Sequence, residues 1–277
     1  MTTTYYAAGG GDGTTCRFCG KDLAPTEVGQ GICGAPECHD LMIVESGKAI
    51  LARKREKHDQ LAADVFEQVA GDLSAPRAEA PDAVLWMLPA QSDPLEPLPP
   101  ERLARFREHL EVCAEFAFRE PEPAPDADLG SRAQHEPDEA TTVIAACSSC
   151  QGRCCRDRGG DTALLLATDL NRYRQRNPGA TRAQIIDAYL SYLPERSTRD
   201  GCVYQAETGC ALPREMRQDI CNSYYCNPLR WLRQELEAAG AEEAVLVAAH
   251  EGTPHRITKL AADGSWSLAK EFGEDAQ

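Results

Sequence analysis

Thirteen cysteines stand in 277 residues, and twelve of them fall in three bursts. Cys16, Cys19, Cys33 and Cys38 form the first, Cys147, Cys150, Cys154 and Cys155 the second, and Cys202, Cys210, Cys221 and Cys226 the third. Cys113 stands apart. The second burst, "CSSCQGRCC", puts four thiols into nine residues and ends on an adjacent pair. An odd total disfavours complete internal disulfide pairing. The start, "MTTTYYAAGGGDGTT", has neither the basic n-region nor the apolar h-region of a secretory signal, so a cytoplasmic location is expected. In a reducing compartment, clustered cysteines are metal ligands or redox groups rather than a disulfide framework.

Charge and hydropathy narrow the partners. A net charge of −15 argues against nucleic acid, because phosphate binding needs concentrated cations. The one basic run, "RKREKH" from Arg53 to His58, reads as a solvated helix face. No run approaches the roughly 18 apolar residues of a spanning helix, so no membrane is expected either. The remaining partner class is protein, as a binding partner or as a substrate.

Proline and apolar spacing divide the chain into five parts. Residues 1–72 form a cysteine-bearing head and a helix from about Gly47 to Ala70, with Gly71 as its stop. Residues 73–100 carry seven prolines in under thirty positions and read as an extended connector. Its "VLWMLP" segment is apolar enough to dock on a neighbouring surface. Residues 101–120 form an amphipathic helix whose stripe is Leu103, Phe106, Leu110, Cys113 and Ala117. Cys113 is thereby a small buried hydrophobe and no ligand. Residues 121–141, rich in proline and acid, read as a linker. Residues 142–277 then form a second domain. Within it, Thr181 and Gln184 have capping-box spacing before "RAQIIDAYLSYL". "LRWLRQELEAAG" is a helix with a glycine stop, and "AVLVAAH", "HRITKLA" and "GSWSLAKEF" are strands of a terminal meander.

In the head, "CRFCGK" and "GICGAPEC" give C-x2-C, a thirteen-residue gap, and C-x4-C. Two close pairs offer four thiolates to one tetrahedral ion, as zinc requires. Gly20 and Gly34 follow Cys19 and Cys33, where the turns must bend. The arrangement resembles a zinc-ribbon or zinc-knuckle module, though its second pair is spaced by four. His39 reads as a neighbouring surface residue. Four thiolates leave no open coordination position, so the expected role is structural.

The later bursts run C-x2-C-x3-CC, then C-x7-C-x10-C-x4-C. This pattern over residues 143–230 resembles the bacterial YkgJ-like cysteine-cluster family, whose members are described as zinc- or iron-chelating proteins. Flagellin lysine N-methylase is similar in its cysteine pattern. The resemblance implies Cys147, Cys150, Cys154, Cys155, Cys202, Cys210, Cys221 and Cys226 as metal ligands. Arg217 stands where the family commonly has arginine, while Gln218 and Asn222 depart from the family pattern. Adjacent cysteines on an extended chain point to opposite sides, so Cys154 and Cys155 are expected to do different jobs. Eight thiolates suit two zinc ions or an iron–sulfur cluster, and the spacing admits both.

Other features read as structural. "GGGDG", Gly9 to Gly13, follows no strand and is a flexible linker rather than a methyl-donor site. His250 and His255 flank a turn, and Tyr224 and Tyr225 pack beside the ligands. The expected fold is mixed α+β, in small metal-stabilised domains: a zinc-ribbon-like head and helix, and a cysteine-cluster domain with helices and a short terminal β-meander. The expected function is metal binding, with zinc in the head and zinc or an iron–sulfur cluster in the second domain. A lysine N-methyltransferase and a zinc-stabilised interaction adaptor are the alternatives. No catalytic or organic-cofactor residues are identified. Residues 143–277 are expected to bind metal without the head, through the convergence of both later bursts.

Overall fold

The computed structural model describes residues 14–124, 145–156, 159–207 and 209–273. The chain mixes helix and sheet and divides into two compact units, residues 1–60 and 61–277. Among the described residues, no helix is long and apolar enough to cross a membrane. "GGGDG" and most of the expected 121–141 linker lie outside the described residues.

In the first unit, a loop-built head leads into α1, Pro36–Gln68, whose last residues belong to the second unit. The helix starts eleven positions before the expected Gly47. Proline is at home in a first helical position, because its missing N–H has no partner there in any case. Gly71 does not stop this helix. The break falls at Val69, and a second helix α2, Ala70–Glu79, takes in Gly71 in its first turn.

The second unit is built on a four-stranded sheet. Its strands are β1 (Val84–Pro89), β6 (Ala244–His250), β7 (Thr253–Leu260) and β8 (Trp266–Glu271), in that spatial order. β6, β7 and β8 pair antiparallel in sequence, as the expected meander. β1 pairs parallel to β6, Val84 opposite Ala244 through Pro89 opposite Ala249. The segment expected as an extended connector is therefore a core strand preceded by a helix. Alternate side chains reach opposite faces of the sheet. Trp86, Leu88 and Leu246 pack on one side with Leu229, Leu232, Ala145 and Cys150. Met87, Val245 and Val247 pack on the other with Ala62, Val65, Val69 and Leu73. A strand covered on both faces needs apolar residues without alternation, and "VLWMLP" supplies them.

Between β1 and β6 lies a helical body. It contains β2 (Leu95–Glu96), α3 (Pro100–Arg119), helical residues 145–150 (α4), α5 (Arg153–Arg156), α6 (Ala167–Arg176) and α7 (Arg182–Leu190). β3 (Ser197–Thr198), β4 (Gln205–Ala206), β5 (Gly209–Cys210), α8 (Asp219–Ser223) and α9 (Asn227–Ala239) follow. β2 pairs with β3, and β4 with β5, as two small antiparallel ribbons. α7 starts at the expected capping box, with the Gln184 N–H donating to Thr181 Oγ1 at 3.3 Å. α9 ends at Gly240, left-handed at φ +59°.

The α3 stripe packs on α6 and α7 through Phe106, Leu110, Cys113 and Ala117. Leu103 does not join it and stays 37% exposed. Arg102 is buried instead. Its guanidinium donates to the carbonyls of Thr198 (3.2 Å), Arg199 (2.5 Å) and Gly201 (2.5 Å) and to Asp161 (2.6 Å). Arg105 takes the other Asp161 oxygen at 2.7 Å. Burial alone would raise the Asp161 carboxyl, but the bonds from both arginines outweigh it and hold its pKa below the ordinary value.

Residues 143–277 lack both β1 and α3, so the structure revises the expected boundary of a self-sufficient fragment. A fragment of residues 61–277 should unfold cooperatively in urea, and one of residues 143–277 should not. In the full chain, Leu88→Ala should cost about 2–5 kcal/mol, the cost of emptying a fully packed site. A loss well under about 1 kcal/mol would show that β1 does not belong to the core.

Candidate metal centres

The head gathers its four cysteines from two kinds of local structure. Cys16 and Cys19 sit on one tight turn. The Gly20 N–H reaches back to the Cys16 carbonyl at 2.8 Å, with Gly20 left-handed at φ +72°. The turn is closed by a bridge between Thr15 and Asp22. The second pair arrives differently. Cys33 comes from a loop and Cys38 from the first turn of α1, which explains the spacing of four. The four sulfurs all lie within 4.8 Å of one another, and Cys19 and Cys33 are 3.7 Å apart. A tetrahedral ion with sulfur ligands at about 2.3 Å would set its ligand sulfurs about 3.8 Å apart, so the donor set can hold a metal ion. His39 is not in the group.

The backbone already favours thiolate at this turn. N–H groups of Cys19 and Cys33 bring the Cys16 thiol down to about 6, while burial and the neighbouring sulfurs push Cys38 up. Glu27 completes the loop. Its carboxylate accepts from Ala24 N–H at 2.8 Å and from Gly34 N–H at 2.7 Å, and those bonds lower its pKa. It pins the first residue after Cys33. Sequence reasoning passed over Glu27, because one of two acids in a thirteen-residue gap carries no signature.

In the second unit, the eight cysteines gather around one buried region. Six of them (Cys147, Cys154, Cys155, Cys202, Cys210 and Cys221) line a cavity of about 120 Å³. Cys150 is buried beneath the sheet, with Cys147 and Cys226 packed against the same core. Cys202 is buried in the helical core, with Cys155 and Cys210 against it. Among the described residues, the head quartet is the one group of potential ligands whose donor atoms all lie within 4.8 Å. Cys113 is distant from these roles. Its sulfur lies 3.5 Å from the Leu165 carbonyl, inside the α3 core.

The doublet is helical rather than extended. Cys154 and Cys155 lie on the single turn α5, and their thiols touch. The expectation of opposite-facing side chains on an extended chain is thereby corrected, since successive residues on a helix diverge by about 100°. Two glycines make the region possible. Gly152 is left-handed at φ +71° between α4 and α5. A Cβ on Gly159 would fall 2.4 Å from Cys202 Cβ and 2.7 Å from its sulfur. Arg102 holds the Cys202 loop from the other side, through the Gly201 carbonyl.

Burial dominates the electrostatics. It pushes the Cys150 and Cys202 thiols up to about 12 and Cys221 up to about 11, and it raises Cys147, Cys210 and Cys226. Contact with Cys154 raises Cys155, and burial adds to it. Arg217 opposes the trend at Cys147, Cys210 and Cys221. It lines the cavity and is fixed by bonds to the carbonyls of Leu212 (2.6 Å) and Cys210 (3.1 Å). Gln218 and Asn222 also line it. Tyr224 forms part of the wall, and Tyr225 packs beneath Arg233 at 5.6 Å. His250 and His255 meet edge to face across the β6–β7 turn, 6.3 Å between rings.

No family model, curated protein or solved structure matches the chain.

The glycine argument predicts a graded result. Gly159→Ala should destabilise the protein by about 1–3 kcal/mol, through overpacking against Cys202. Gly71→Ala, where a Cβ meets nothing within 4 Å, should be neutral or stabilise by up to about 1 kcal/mol. Equal melting temperatures for the two variants would refute the packing account.

Proposed function

We propose that this is a metal-binding protein of the YkgJ-like type, with a structural zinc in the head and zinc or an iron–sulfur cluster in the second unit. The observation that carries the reading is the convergence of six cysteines from the two later bursts on one cavity, with the other two packed directly behind. Donor chemistry supports it. The cavity offers thiols and two arginines, Arg214 and Arg217, rather than carboxylates, and soft thiolates select zinc or iron–sulfur centres over hard cations. When bound, such a centre supplies charge that replaces the thiol protons.

Within this reading, the doublet divides the eight ligands into two sets of four. Cys147, Cys150 and Cys226 share the core beneath the sheet, and Cys154, whose charge acts on all three as well as on Cys155, Cys210 and Cys221, is assigned to them as the fourth ligand. Cys155, Cys202 and Cys210 share the helical core, and Cys221 interacts with Cys202 and Cys210. Each set mixes the middle burst with the last one. Metal uptake and folding of this region are then coupled, because neither burst holds a complete set. The binding surface for a protein partner belongs to the same proposal, and the acidic chain leaves nucleic acid out of it.

Metal counting on anaerobically purified protein, with its visible spectrum, tests the assignment. Iron bound by thiolate absorbs visibly and zinc does not. Cys19→Ser should lose the head metal alone, and Cys113→Ser should lose none. Cys150→Ser and Cys202→Ser should each lose a different part of the remaining metal. Full metal content in both of the last two variants would remove the second centre from the proposal.

A further inference from the structure

The first unit leaves one apolar helix face uncovered. On α1, Cys38 and Met42 pack against the head, and Glu45 pairs with Arg17 at 3.2 Å. At about 100° per residue, Ile43, Val44, Gly47, Ile50 and Leu51 fall in one arc on the opposite side. Their exposure is high for large apolar groups: Ile43 64%, Val44 51%, Ile50 54% and Leu51 43%. The spacing repeats by seven, Ile43 to Ile50 and Val44 to Leu51, as in a helix–helix seam.

From this pattern we infer that the face is the contact between two copies of the chain, laid antiparallel with Gly47 on the two-fold axis. The argument is self-complementarity, which an isologous interface demands and an unrelated partner does not. Centred on Gly47, an antiparallel pair sets Ile43 opposite Leu51 and Val44 opposite Ile50. The same register sets Asp40 opposite Lys54 and Glu37 opposite Lys57. All four charged residues are exposed, and none makes an ion pair among the described residues. Acid precedes the apolar stripe and base follows it, so each end of one helix meets its opposite charge on the other. A parallel pair would instead set acid on acid and base on base. Gly47 carries no side chain at the crossing point, and a Cβ there would meet nothing of the chain's own within 4 Å, so two backbones can approach closely at this position. The inference is independent of the second unit's cysteines.

Sedimentation equilibrium on the full chain with its metal tests it, with metal content and circular dichroism as folding controls. A dimer is expected at micromolar concentration, weakened by salt. Ile50→Asp should give a monomer with unchanged metal. Asp40→Lys should weaken the dimer by about tenfold, as like charges face each other across the seam. The double variant Asp40→Lys with Lys54→Asp should restore it. A monomeric wild-type chain, or a dimer indifferent to Ile50→Asp, would overturn the inference. Failure of the double variant to recover, in a chain that keeps its metal and helicity, would overturn the antiparallel register.

Discussion

The second unit depends on how eight thiols tolerate burial together. Cys150 and Cys202 are buried and Cys221 reaches the surface, yet partial burial raises the pKa values at Cys147, Cys150, Cys202, Cys210, Cys221 and Cys226 and makes their thiolates costly. Arg217 lowers three of them and Arg102 lowers Cys202, and Arg217 is held by backbone carbonyls rather than by carboxylates. Burial on this scale is paid for elsewhere in the fold, by the apolar packing of two separate cores. The cavity takes lining from both, Cys147 from the core beneath the sheet and Cys155, Cys202 and Cys210 from the helical core.

Polar ties fix the walls of that cavity from outside. The Arg102 guanidinium satisfies three carbonyls of the 198–201 loop and one carboxylate. Hydrogen bonds to a charged group are the stronger kind, roughly twice a neutral one. Arg256 reaches the Ser148 carbonyl at 3.3 Å, and the Gln91 N–H reaches the Cys150 carbonyl at 3.0 Å. These bonds join the helical turn that carries Cys147 and Cys150 to the sheet. Gln205 Nε2 donates to the Gln151 and Gly152 carbonyls at 2.6 and 3.0 Å, joining the β4–β5 ribbon to the same turn. Long-range hydrogen bonds thus position the short helical turns and the ribbon that carry most of these cysteines.

Much of this was legible in the sequence where one residue's neighbours along the chain decide its fate. The capping box at Thr181, the glycine stop at Gly240 and the terminal meander are local signals, and they stand in the structure. The head quartet was legible for the same reason, since two close pairs are a short-range pattern. What escaped was decided at long range. β1 looked like connector because prolines surround it, and a strand buried on both faces shows no alternation. Arg102 broke the apolar stripe of α3 by taking a buried position that periodicity assigns to Leu103. The need for Gly159 becomes visible only when Cys202, forty-three positions away, is placed against it.

The topology gives the cysteines a further consequence. Parallel neighbours need a crossover of about a dozen residues at minimum. Here the connection from Pro89 to Ala244 contains α3 to α9 and all eight cysteines of the later bursts. β1 and β6 can therefore pair only when both ends of that long excursion return to the same place. α9, which follows Cys226 directly, packs on β1 through Leu229 and Leu232, and Trp86 Nε1 donates to the Pro228 carbonyl at 2.9 Å. Closing the cysteine region and closing the sheet are thus one geometric event, with the first residues after the last cysteine forming the joint.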